Sequence, residues 1–297
     1  MAQATPPHKI IVMDILAINI LNGVSYAMIL FLMASGLSLI RGVMGILNLA
    51  HGTLYMLGAY IGLTVAGLGA NWVVALLAGG VSAGIIGLFF ERVFLSRLYK
   101  QVYAQVLLTL GLVYVFANVV LWIWGGIGKI GTAPAIAAGG VSIGDFSFPF
   151  YRFLLIFMGL LAFAGLWWLE AKTRAGAIIR AGMDDKEMTI GLGINYGLIS
   201  SATFILGATM GGLAGFIGTP IVGAHPDMSM NILLSALIVV VVGGVGSVRG
   251  ALLGALVIGL IDSFGKAYFP DFALFTIYLA MIIVLLLRPS GILGRAQ

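Results

Sequence analysis

The sequence predicts an all-α, polytopic transmembrane helical bundle, a single membrane domain across residues 1–297. Three observations predict it. Hydrophobic residues make up 61% of the chain and charged residues only 8%, where a soluble domain carries roughly 25% charged residues. Mean hydropathy is +1.15, so a globular surface could not be covered with solvated groups, whereas a surface facing lipid could. Uncharged runs of span length recur along the chain, and the few basic residues fall into clusters between them.

The elements follow in order. Met1–Lys9, with Pro6-Pro7 and a single strong charge, reads as a short tail (residues 1–10) rather than a cleavable signal. Uncharged stretches then cover Ile15–Ile40, Thr53–Phe90, Val106–Gly128, Phe153–Leu169, Ile194–Ala224, Asn231–Val248, Ala251–Ile261 and Phe272–Leu287. Thr53–Phe90 is long enough for two spans turning near Gly67–Asn71, and Ala251–Ile261 reaches span length if extended to about Gly265. At about 20 residues per crossing these give about eight or nine spans, some broken or re-entrant. Basic clusters at Arg92, Arg97 and Lys100, at Lys172, Arg174, Arg180 and Lys186, and at Arg288 and Arg295 place those loops and the C-terminus in the cytoplasm, with Gly125–Phe148 outside. The net charge of +5 is thereby assigned to cytoplasmic loops rather than to nucleic-acid binding. The side on which the N-terminus lies is left open.

Three segments stand out chemically. The first is Gly36–Gly52, where Arg41, Asn48 and His51 sit in an apolar region broken by glycines, Gly42 and Gly45 among them. Ionisable groups at membrane depth are expensive and face a bundle interior, a cavity or an interface. A helix from Asn48 onward puts Asn48, His51 and Tyr55 on one face. One reading is a polar stripe lining a solute route; the other is an interfacial turn, with Arg41 snorkelling and His51 bonded to a neighbouring helix. The second segment is Gly243-Gly244-Val245-Gly246-Ser247-Val248-Arg249-Gly250. Arg249 stands where the dinucleotide fingerprint needs glycine, and no Gly-Lys-Ser/Thr follows, so no nucleotide is expected here. It reads as a helix break, and its Arg-Gly pair, like Arg41-Gly42, hints at an internal repeat. The third is the polar island Glu170–Glu187, on the inner side between two spans. It is either a solvated, salt-bridged helix or a short amphipathic helix whose Ala181-Gly182-Met183 forms an apolar knob for a cytoplasmic partner.

Gly207, Gly211 and Gly215 recur every fourth residue, as do Gly246, Gly250 and Gly254, a spacing that lets helix backbones approach closely. Catalysis finds no support. The histidines His8, His51 and His225 are far apart, no cysteine is present, and Asp14 and Asp262, taken as the carboxylates near spans, have no acid–base partner in sequence.

These residues resemble the permeases of branched-chain amino-acid ABC importers. The resemblance rests on Asn22-Gly23, Gly36, Gly42, Gly45, Asn48, Ala50, His51 and Gly52, then Met56-Leu57-Gly58-Ala59-Tyr60. It continues in Leu192-Gly193-Ile194-Asn195, Gly243–Ser247 with Gly250-Ala251, and Arg288-Pro289-Ser290-Gly291-Ile292-Leu293-Gly294. It spans about Asn22 to Gly294, and the short N-terminus favours the H-type chain. The resemblance implies a multi-pass subunit of the bacterial inner membrane, paired with a second permease chain of the M-type. It further implies two cytoplasmic ATPase subunits holding ATP and Mg, and a periplasmic solute-binding protein. It makes Arg180, Ala181, Gly182, Met183, Asp184, Asp185, Lys186 and Glu187, within a coupling segment 170–190, the expected ATPase contact. Leu49 and Leu30 stand where such chains often carry Phe and Tyr, which widens the expected solutes to urea, short amides and other amino acids. The other classes considered are an ion-coupled secondary transporter and a membrane scaffold.

Overall fold

A computed structural model describes residues 8–46, 48–98, 101–143 and 146–294. The expected tail falls largely outside these residues, as do Lys100, Arg295 and the Asp14 side chain. The described chain is almost entirely helical: α1 His8–Met44, α2 His51–Gly67, α3 Trp72–Phe89, α4 Val102–Trp124, α5 Phe150–Lys172, α6 Arg174–Asp184, α7 Lys186–Gly191, α8 Tyr196–Val222, α9 Met228–Gly243, α10 Val248–Tyr268 and α11 Ala273–Leu287. A two-stranded antiparallel hairpin, β1 Gly140–Ile143 and β2 Phe146–Pro149, pairs Gly140 with Pro149 in the loop before α5. Among the described residues, seven helical segments are long and apolar enough to cross a membrane. The chain is thus a polytopic helical membrane protein.

The expected turn in Thr53–Phe90 falls where α2 ends at Gly67 and α3 begins at Trp72, with Asn71 accepting from Val73 N as an N-cap. Gly69 supplies the left-handed residue of that turn (φ +86). The run Ala251–Ile261 belongs to a longer helix, α10, of 21 residues. The run Asn231–Val248 does not fill a span. It forms α9, 16 residues long, and α2 is similarly short at 17.

Both short helices follow a break. α1 stops at Met44 and Gly45 (φ +66) turns the chain into residues 45–50; α8 stops at Val222 and Gly223 (φ +76) turns it into 223–227. Each break doubles back toward the middle of the preceding helix before the next helix starts. His51, at the start of α2, accordingly lies against Gly211, midway along α8. The starts of α2 and α9 meet there, a Cβ on Gly52 falling inside contact distance of the Ser229 carbonyl. From this centre α2 runs parallel to α8, and α9 runs back along α10 until Gly243 abuts Gly250.

The contacts have an inverted symmetry. α1 packs antiparallel on α10, with Asn19 beside Ser263, Gly23 beside Gly259 and Ser38 beside Gly246. α8 packs antiparallel on α3, with Gly80 beside Leu213 and Gly84 beside Thr209. The units α1–α4 and α8–α11 each read long helix, break, short helix, helix, helix, and point in opposite directions, an arrangement transporters share. The repeat hinted at by the Arg-Gly pairs therefore has a different register. Residues 45–50 match 223–227, while Gly243–Gly250 corresponds to the turn between α2 and α3.

Close approach of backbones holds the centre together. α1 and α8 cross at Gly36 and Gly207, where a Cβ on Gly207 would lie 2.7 Å from the Gly36 carbonyl oxygen. Gly211 faces His51, and Gly215 abuts the Tyr55 backbone. Without a hydrophobic drive between helices in lipid, such contacts carry the association. The apolar windows of α4, α5 and α11 are only 22%, 17% and 11% buried, against 56% for α8. They form an outer ring around a core of α1, α2, α3, α8, α9 and α10.

Gly207→Ala should lower the melting temperature of the purified protein, forcing apart a contact worth about 1–3 kcal/mol. Gly165→Ala, exposed on α5 with nothing within 4 Å, should leave it unchanged or raise it. Equal effects of the two would contradict the close-packing account.

Candidate functional site

The polar residues of the first break are deeply enclosed. Asn48 and His51 are 1% and 0% exposed. Asn48 lies before α2 rather than on it: its Oδ1 accepts from Ala50 N at 3.0 Å, which starts the helix at His51. The three-residue stripe expected on one helix face is therefore a turn residue followed by two helical ones. Asn48 Nδ2, both His51 ring nitrogens, Thr53 Oγ1 and Tyr55 Oη have no hydrogen-bond partner among the described residues. The Met33 backbone lies beside the His51 ring but outside hydrogen-bond geometry. So many unpaired polar groups in a packed core are unusual, because each carries a desolvation penalty. Among the described residues, neither N-cap residue, Ala50 of α2 or Asp227 of α9, makes a side-chain capping bond.

Of the three, Tyr55 borders a cavity of about 460 Å³ walled by α1, α9, α10 and α11 and the start of α2. Tyr26, His225, Asn231, Ser235, Asp262 and Lys266 supply its polar lining. Asp262, a lone carboxylate in the sequence reading, is paired: Lys266 Nζ donates to its Oδ2 at 2.6 Å, one helical turn on. That i, i+4 spacing was the available signal. Lys266 also lies over the Tyr26 ring, 5.3 Å from its centroid.

A second buried carboxylate went unnoticed in the sequence. Glu91 is 3% exposed, in a π-helical turn Phe90–Phe94 that continues α3, and accepts from Ser201 Oγ on α8 at 2.8 Å. Its position directly after an apolar run ending at Phe90 was the only hint. π-Turns within helices often mark functional positions.

At the opposite end, the polar island forms two short helices. Thr173 caps α6, accepting from Gly176 N at 3.0 Å, and Asp185 caps α7, accepting from Met188 N at 2.9 Å. Asp184, Asp185, Lys186 and Glu187 are exposed and Arg180 is half-buried. Lys186 lies over the Tyr196 ring at 4.7 Å. The expected outward knob does not form: Gly182 packs under Tyr196, and Met183 turns inward. A Cβ on Gly42 or on Gly246 would lie 2.8 Å or 2.6 Å from Met183 Cε. Tyr196 Oη donates to the Val43 carbonyl beside it. Gly244 (φ +103) sits against Gly294, and the C-terminal segment is bonded to α9 through Ile292 N to Val242 O and Leu293 N to Gly243 O. Arg249 packs over the Trp167 ring, and Ser247 caps α10, its Oγ accepting from Gly250 N at 3.0 Å. Among the described residues no group of His, Cys, Asp or Glu is arranged to hold a metal.

Half-helices starting at the centre of an apolar bundle, with uncapped termini and unpaired polar groups around them, define a membrane transport protein. The comparisons with known proteins agree. Residues 19–285 match the family model described as "Branched-chain amino acid transport system / permease component". The chain belongs to that family. It is 29% identical over 301 residues to the high-affinity branched-chain amino acid transport system permease protein BraD of Pseudomonas aeruginosa, covering 94% of this chain and 96% of that one. It is 29% identical over 298 residues to LivH of Salmonella typhimurium, a permease protein of the same description (93% and 94% covered). To the probable LivH permease of Methanocaldococcus jannaschii it is 25% identical over 305 residues (96% and 95% covered). No solved structure matches the chain significantly.

Ser201→Ala should destabilise the protein by about 1.5–3 kcal/mol, since it strands one acceptor of a buried carboxylate. Ser96→Ala, which removes an exposed hydroxyl bonded to Arg92 O, should be close to neutral. Chemical denaturation of the two variants in detergent checks the contrast.

Proposed function

We propose that the chain is the membrane-spanning permease subunit of an ABC importer of the bacterial inner membrane, moving branched-chain amino acids or a closely related solute. It works beside a second, M-type permease chain and two ATPase subunits that hold ATP and Mg, and receives solute from a periplasmic binding protein. Counting each break with its short helix as one crossing gives nine, which puts the N-terminus outside and the C-terminus in the cytoplasm. The basic clusters support this orientation.

One observation carries the coupling: the Met183 side chain sits between Gly42, near the end of α1, and Gly246, in the turn before α10. The exposed stretch Asp184–Glu187 offers charge to a cytoplasmic partner, and any displacement of it reaches two core helices through Met183. ATP-driven closure of the ATPases then shifts the population between outward- and inward-facing bundles. Asn48 and His51, buried at the meeting point of the half-helices, are assigned to the pathway exposed when the bundle switches, and Tyr55 to its outer end.

Met183→Ala should lower ATP-coupled uptake at least about fivefold, the low end of measured coupling energies, while the ATPases still co-purify. Asp184→Lys with Glu187→Lys should release the ATPases; Asp185 is avoided because it caps α7. A permease that purifies free of any ATPase, or charge reversals that leave uptake intact, would remove the docking assignment. Asn48→Leu and His51→Leu should reduce transport more than they reduce folded protein in the membrane. Equal losses would make both residues purely structural.

A further inference from the structure

We propose that the cavity between α1, α9, α10 and α11 is an outer vestibule that reads its solute as a zwitterion, Lys266 taking the carboxylate and Asp262 the ammonium group. The inference rests on the permease reading and adds to it a selectivity site within this chain.

The cavity, about 460 Å³, is within the range of small-molecule sites. It lies at the end of α10 remote from Gly246 and Met183, the end from which a periplasmic protein delivers solute. Its two charges stand four residues apart on α10, about 6 Å along the axis. The Asp262 side chain is 8% exposed, whereas Lys266 is 61% exposed on a flexible stem. The ammonium can swing away while the carboxylate stays fixed. An α-amino acid carries both its charges on a single carbon, so it can exchange the one intrahelical pair for two ion pairs. Urea and simple amides bring no charge, and would leave Asp262 partly desolvated with nothing gained.

The Asp262–Lys266 pair opens on this cavity. Tyr55 Oη, on a residue 1% exposed, has no partner among the described residues and lies on that cavity's wall. Tyr26 and Ser235 add hydroxyls to the lining, and Met228, Ile232, Ile238 and Ile277 give it an apolar wall. A branched aliphatic side chain fits that wall, and the two charges orient it.

The test uses the assembled transporter, both permease chains with their ATPases, and radiolabelled L-leucine. Binding is measured without the solute-binding protein and ATP-driven uptake with it. Wild type should bind leucine, and excess unlabelled valine should displace it, whereas isopentylamine and 4-methylpentanoate, each lacking one charge, should not. Asp262→Asn and Lys266→Met should each weaken binding and raise the KM for uptake at least about tenfold, as loss of a charge partner does. Lys266→Arg should restore part of the loss, which a purely structural role in packing would not require. Ile277→Trp, filling the cavity from its apolar side, should also abolish binding while leaving the ion pair intact. Uptake by wild type with Asp262→Asn, Lys266→Met and Ile277→Trp all within about twofold of it, at equal folded protein, would overturn the vestibule and spare the permease reading. Absence of ATP-driven leucine uptake by wild type would instead overturn the permease reading, and the vestibule with it.

Discussion

Everything in this structure depends on how close two backbones can come inside an apolar medium. Backbone amides and carbonyls in lipid must be satisfied internally, so a broken helix survives only where protein encloses it. Here the enclosure comes from glycine contacts. Gly36 against Gly207 brings α1 onto α8; Gly215 against Tyr55 brings α2 onto α8; Gly52 lets the start of α2 meet the start of α9. Flanking segments complete the cover. At one end Lys129 and Ala224 exchange backbone hydrogen bonds over the second break, and at the other the C-terminal Ile292 and Leu293 bond to the end of α9. With larger residues at these crossings the breaks would face lipid.

That enclosure is also what links the two ends of the molecule. α1 carries Tyr26 at the outer cavity and Gly42 at the Met183 contact, about 24 Å apart along one helix. α10 carries Asp262 and Lys266 at the cavity and begins beside Gly246. The same antiparallel pair therefore touches the proposed coupling segment at one end and the proposed solute cavity at the other. A tightly packed pair of this kind shifts as a unit between discrete arrangements rather than bending continuously. Unpaired polar groups on Asn48, His51 and Thr53 fit such a two-state element, because a group left without a partner in one arrangement can find one in the other.

What the sequence made legible was governed by local or compositional physics. The membrane class came from the scarcity of charge, the turn at Gly67–Asn71 from its glycines and asparagine, and the family from motifs spread across the chain. Three features were not readable, two of them because they depend on long-range packing. Asn48 was drawn as helical because its neighbours are apolar, but its side chain takes the Ala50 amide and starts the helix later. Met183 was read as an outward knob, since its partners Gly42 and Gly246 are 141 and 63 residues away in the chain. Glu91 was passed over because nothing near it in sequence reveals that Ser201 waits on another helix. The Asp262–Lys266 pair was within local reach through its spacing, but its importance depends on a cavity that only the fold creates.

The most direct measurement is uptake by proteoliposomes containing this chain with the proposed second permease chain and ATPases, and the proposed binding protein on the opposite face from ATP. L-leucine should accumulate against its gradient only when ATP is present on the ATPase side, and an uncoupler should leave the rate unchanged. Accumulation that persists without ATP and collapses with the uncoupler would contradict ATP-driven transport.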